Sequence, residues 1–139
     1  MNGRDAVKCN SALDGFLAVW LKTFDFRNDV YEIGMSHLGS RIIYNVLNKR
    51  EDTYCERAYA PWVDMEEQLE KHGIPLTSHE TGTPLSGFDI VGFTLQYELC
   101  YSNVLNMLEL AGLPLLASER GDDMPVVVGG GPCAYNAEP

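Results

Sequence analysis

Residues 89–112, DIVGFTLQYELCYSNVLNMLELAG, decide the fold. The first seven form a short, nearly continuous apolar run, the pattern of a strand buried on both faces. Residues 97–111 then carry Leu99, Val104, Leu105, Leu108 and Leu110 at helical spacing, ending at Gly112 and Pro114, where a helix C-terminus is expected. Downstream, residues 125–128 read as another central-type strand that runs straight into Gly129, Gly130, Gly131 and Pro132. Strand, helix and strand in this order make a crossover unit of a parallel sheet.

The same alternation extends upstream. Residues 36–48 place Leu38, Ile42, Ile43, Val46 and Leu47 on one side at helical spacing, with Ser36 positioned to cap the start. Residues 53–60, TYCERAYA, alternate polar and bulky side chains up to Pro61 and read as a strand. Residues 62–72, WVDMEEQLEKH, read as a second helix with Gly73 in the capping place; Asp64, Glu66, Glu67 and Glu70 are its solvated face. Residues 74–87 read as a connection with at most one short strand, and His79 and Glu80 as surface residues. Residues 15–24, GFLAVWLKTF, fit a first central strand, although Leu13, Phe16, Leu17, Trp20 and Leu21 also fit a helix. The strand is favoured because it keeps the strand–helix–strand order.

The 139 residues, 45% hydrophobic and 10% aromatic, suffice for one domain with a genuine core and not for two. A net charge of -10 argues against unaided binding to nucleic acid or an anionic membrane, which would both repel it. Cys9, Cys55, Cys100 and Cys133 form no CxxC or CxxxCxxC cluster, so metal and iron–sulfur binding have no local signature. Reduced, mostly buried thiols are expected. The start lacks the charged-then-apolar layout of a secretory signal and no run approaches 18 apolar residues, which places the expected location in the cytoplasm.

In an open parallel sheet, ligands settle beyond the carboxyl ends of the strands. Three segments are expected at that rim: 29–39 (DVYEIGMSHLG), 94–97 (TLQY) and 129–139 (GGGPCAYNAEP). They supply the candidate binding residues Met35, Ser36, His37, Thr94, Gln96, Tyr97, Gly129, Gly130, Gly131 and Pro132. The glycines either let a ligand approach the backbone or serve a turn of positive φ. They do not form GxGxxG, and Pro132 interrupts a helix start. His37 fits a structural hydrogen-bonding role better than metal ligation, and Cys133 a buried thiol better than a cofactor neighbour. Glu32 and Glu98 form no recognisable acid pair, and no serine sits in a nucleophile elbow, so neither a catalytic nor a metal-ligating set emerges.

Residues 29–39, 89–112 and VVVGGGPCAYNAEP at 126–139, with APW at 60–62, DM at 64–65 and GIPL at 73–76, resemble the amino-terminal part of a family of uncharacterised radical S-adenosylmethionine proteins with a cobalamin-binding-like domain. The resemblance covers residues 29 to 139; residues 1–28, with the first strand, form a divergent segment. It implies a Rossmann-like, flavodoxin-like three-layer domain, placed before a barrel whose CxxxCxxC loop holds a 4Fe–4S cluster that cleaves S-adenosylmethionine. This chain stops before any such loop, so the expected role is a cofactor-domain fragment without catalysis of its own, incomplete at its carboxyl end. Its expected partner is the remainder of a radical SAM polypeptide, or the barrel itself. The histidine-dependent cobalamin motif DxHxxG is broken: aligning His37 puts Met35 at the Asp position and Ser40 at the Gly position. Cobalamin binding would then run through Thr94 and the 129–131 backbone.

An interaction module with an empty pocket is the competing reading. A strand such as VVV left near an open edge invites docking or self-association. A receiver-type switch is disfavoured because Phe93-Thr94-Leu95 offers no aspartate, and a flavin binder because no Ser/Thr-rich phosphate loop follows the first strand.

Overall fold

The computed structural model describes residues 16–22, 38–96 and 98–135. Four strands and three helices alternate: β1 (Phe16–Lys22), α1 (Leu38–Leu47), β2 (Thr53–Tyr59), α2 (Val63–His72), β3 (Ile90–Thr94), α3 (Cys100–Leu110) and β4 (Val126–Gly130). The strands form one parallel sheet in the order β2-β1-β3-β4. Residues 16–22 are therefore a strand and not a helix, and they hold the centre, hydrogen-bonded to both β2 and β3. From β1 the chain moves outward to β2, then crosses back to β3 and onward to β4. The direction of winding reverses between β1 and β3.

Side-chain alternation along β2 assigns the layers. Ala58 joins the main core with Val91 and Phe93 of β3, Met107 and Leu108 of α3, and Leu76, Leu85 and Phe88 of the long connection; Leu69 of α2 packs against this cluster. Its neighbour Arg57 points the other way and lies 4.6 Å from the centre of the Tyr44 ring of α1. Thus α2 and α3 cover one face and α1 the other. Residues 91–94 are buried throughout, as their apolar run requires. Both α2 and α3 end at glycines of positive φ, Gly73 and Gly112, whose following residues bond back to Leu69 and Leu108, five residues earlier.

Three expectations need correction. The sequence puts Leu38, Ile42 and Val46 on the core side of α1, yet all three are more than half exposed. The helix is rolled so that Ser40 is buried and Ile43, Tyr44 and Leu47 are half-buried. Polar anchors set this roll: Tyr44 stacks under Arg57, and the Asn48 amide bonds both the N–H and the carbonyl of Cys55 at 2.9 Å. The second correction concerns β4, which is an edge strand of the described sheet and not a central one. Its Val126 and Val128 are 61% and 38% exposed, while only Val127, on the α2–α3 side, packs against the core. An apolar run reads alike in both settings, because periodicity reports burial preference and not strand order.

The third correction concerns Glu80, which lies in the connection formed by residues 74–87. Leu76 and Leu85 are buried and joined by a backbone hydrogen bond, and an isolated antiparallel bridge pairs Thr77 with Pro84. Within this hairpin Glu80 is not a surface residue; only a fifth of its side chain is exposed, and it is paired with Arg57, while His79 is exposed.

Candidate functional site

The carboxyl ends of β3 and β4 bring Thr94 and Gly130 into register as neighbours. On its other side Thr94 is paired with Lys22, the last residue of β1. Beyond them the Leu95 N–H donates to the Gly130 carbonyl at 2.6 Å, and the Cys133 N–H returns to the Leu95 carbonyl at 3.3 Å. The chain thereby folds over Leu95 and enters a short 3-10 turn, Pro132–Tyr135. The Tyr101 hydroxyl of α3 donates to the Cys133 carbonyl at 3.4 Å, tying the turn to the helix that follows β3. Thr94 is buried, Gln96 half-buried and Pro132 exposed.

The three glycines have different physical reasons. Gly131 has φ +118°, and a Cβ there would collide with the Leu95 carbonyl oxygen, so the close approach it permits is made by the chain's own backbone. A Cβ on Gly129 would press on the Leu95 side chain at 3.1 Å. At Gly130 a Cβ would meet nothing within 4 Å, so this backbone alone of the three borders open space. Of the sequence candidates, the fold brings together Thr94, Gln96, Gly129, Gly130, Gly131 and Pro132; Met35, Ser36, His37 and Tyr97 lie outside the described residues. The thiol of Cys133, nearby, is pushed up by burial, then by Glu98 and Cys100, which keeps it protonated and weakly nucleophilic.

A second polar cluster, on β2, has no counterpart in the sequence reading. Glu56 is only 2% exposed, and its carboxylate accepts the Thr81 hydroxyl at 2.8 Å. Thr81 and Thr83 share a hydrogen bond of 2.6 Å, and the Thr83 N–H donates to Ser78 Oγ at 3.0 Å. Beside it, Glu80 accepts from both the Arg57 N–H at 2.8 Å and Arg57 Nε at 2.6 Å, while the His79 N–H donates to the Arg57 carbonyl at 2.7 Å. Burial, then Glu80, pushes the Cys55 thiol up to about 11 and raises the Tyr44 hydroxyl in the same direction. The only legible hint was a pair of opposite charges, Arg57 and Glu80, separated by 22 residues of sequence. Pairing across such a gap becomes visible only when the hairpin folds onto the strand.

Among the described residues no group of three or more histidines, cysteines or acidic residues is arranged to hold a metal, and no helix is long and apolar enough to cross a membrane.

A small α/β domain with a parallel sheet and its open rim at the β3–β4 carboxyl ends is the class of protein these elements define. A family model described as the N-terminal region of radical SAM proteins matches residues 39–139, most of the chain, and the chain belongs to that family. No curated protein and no solved structure matches it.

Proposed function

We propose that this chain is a cofactor-type domain of Rossmann-like architecture that precedes the catalytic barrel of a cytoplasmic radical SAM protein, with the seat for its ligand on the β3–β4 rim. What supports the architecture is the all-parallel order β2-β1-β3-β4, with its reversal of winding between β1 and β3 as in doubly wound sheets. The observation that carries the seat is Gly130, a backbone bordering open space next to the buried hydroxyl residue Thr94. In this reading the 4Fe–4S cluster and S-adenosylmethionine belong to the barrel, the domain performs no catalysis alone, and its partner is the remainder of the radical SAM polypeptide.

Cobalamin, a carrier of radical and group-transfer chemistry, is the ligand this reading names. The residues fit it in the mode without a histidine ligand. Gly130 would admit the cofactor's tail to the backbone, and Thr94 and Gln96 would line its approach; Ser40, at the glycine position of DxHxxG, is instead buried in α1. Mixing with hydroxocobalamin should shift its visible spectrum, and the pigment should travel with the protein through gel filtration. Gly130→Leu should abolish this retention while leaving the unfolding midpoint near that of the parent chain. A colourless protein peak would remove the ligand from the proposal.

The alternative, an interaction module with a vestigial pocket, is favoured by one observation: Gly129 and Gly131 are already filled by Leu95. It predicts no pigment retention and capture of the separately produced barrel of the same polypeptide.

A further inference from the structure

The two edges of the described sheet are treated differently. On β2 the outward-pointing backbone groups of Cys55 and Arg57 are satisfied from within the chain. Asn48 bonds both the N–H and the carbonyl of Cys55, while Glu80 and the His79 N–H do the same for Arg57. These devices close an edge to further strands. On β4 the Val126 N–H bonds the Asp89 carbonyl, and the Gly130 carbonyl receives the Leu95 N–H, so residues 126, 128 and 130 face β3. Alternation along a parallel strand then turns the N–H and carbonyl of Val127 and Gly129 outward. Among the described residues neither has a hydrogen-bond partner. Nor does β4 carry any of the usual edge guards: it has no charge, no proline and no bulge.

We propose that β4 is a self-association edge, where a second copy of this chain adds its own β4 antiparallel about a twofold axis through Val128. Two features select a second copy as the occupant. Residues 124–135, MPVVVGGGPCAY, hold no ionisable acid or base of the Asp, Glu, Lys, Arg or His type in a chain of net charge -10, so the copies meet where no like charges are brought together. The segment is also self-complementary about its centre. Val127 faces Gly129 of the other copy and exchanges both backbone hydrogen bonds with it, and the same pairing repeats across the axis. Val128 meets its own counterpart side by side, and each exposed Val126 lies opposite the small Gly130. A junction of one strand pair is small, so association is weak and reversible. This proposal stands apart from the cofactor reading and survives its failure.

Sedimentation velocity over a concentration series tests it, with circular dichroism as the folding control. The chain should shift from monomer toward dimer as concentration rises, and more so in added salt, which screens the repulsion between copies. Val127→Pro removes one outward N–H without touching the β3 ladder and should leave a folded monomer. Independently of how that variant folds, Val128→Cys should give a disulfide-linked dimer on mild oxidation, because the twofold places position 128 against itself. A strict monomer at every concentration and salt would overturn the proposal and leave β4 for a strand from another part of a radical SAM protein. A dimer weakened by salt, or one that neither variant affects, would overturn it by assigning association to another surface.

Discussion

Gly131 and Gly130 are chemically identical neighbours that should respond in opposite ways to an added methyl group. Gly131→Ala combines a left-handed φ with a collision against the Leu95 backbone, and should cost at least about 2 kcal/mol, read as a lowered urea midpoint. Gly130→Ala meets open space and should change stability by no more than about 1 kcal/mol, in the favourable direction, since alanine loses less chain entropy than glycine. Cys55 carries a pH prediction at the same scale. Its thiol ionises near 9 when exposed and about 11 in the fold, so between these values the unfolded chain has released a proton that the native state keeps. Stability should therefore be full below pH 9 and decline as pH rises toward 11, with Tyr44 adding in the same sense. Cys55→Ala should flatten part of that decline in a series of thermal melts. Phe93, almost wholly buried at the centre of the core, should cost about 3–5 kcal/mol on truncation to alanine.

Among the elements, β2 depends on contacts that its own sequence does not contain. Asn48→Ala would leave the N–H and carbonyl of Cys55 without their side-chain partner, and should cost about 1–3 kcal/mol. It should also increase aggregation, measured by light scattering, because it reopens an edge now closed. Glu80→Ala removes the partner of both the Arg57 backbone and its guanidinium, and should loosen the 76–85 hairpin, seen as faster amide exchange at His79. Helix α1 shows why an amphipathic pattern underdetermines packing. Leu38, Ile42 and Val46 form one apolar stripe and Ile43 and Leu47 an adjacent one. Hydrophobicity alone gives no preference between two rolls, whereas the Tyr44–Arg57 stack and the Asn48 amide accept only one.

At the scale of the whole molecule, the succession of strands and helices was legible in residues 53–130 because apolar run length, helical spacing and the capping glycines Gly73 and Gly112 are properties of neighbours in sequence. The chemistry of the rim was partly legible: glycines at the end of an apolar run announce a close approach, and Thr94 and Gly130 do meet in register. Family membership also lay within the sequence, since a match over residues 39–139 needs no coordinates. Tertiary structure decided which strand is central and which is an edge, which stripe of α1 faces the sheet, and that Glu80 reaches across to seal β2. It also decided that Gly131 accommodates Leu95 while Gly130 borders open space. These choices depend on groups brought together from distant parts of the chain, where geometry, and not residue type, sets what each backbone atom touches.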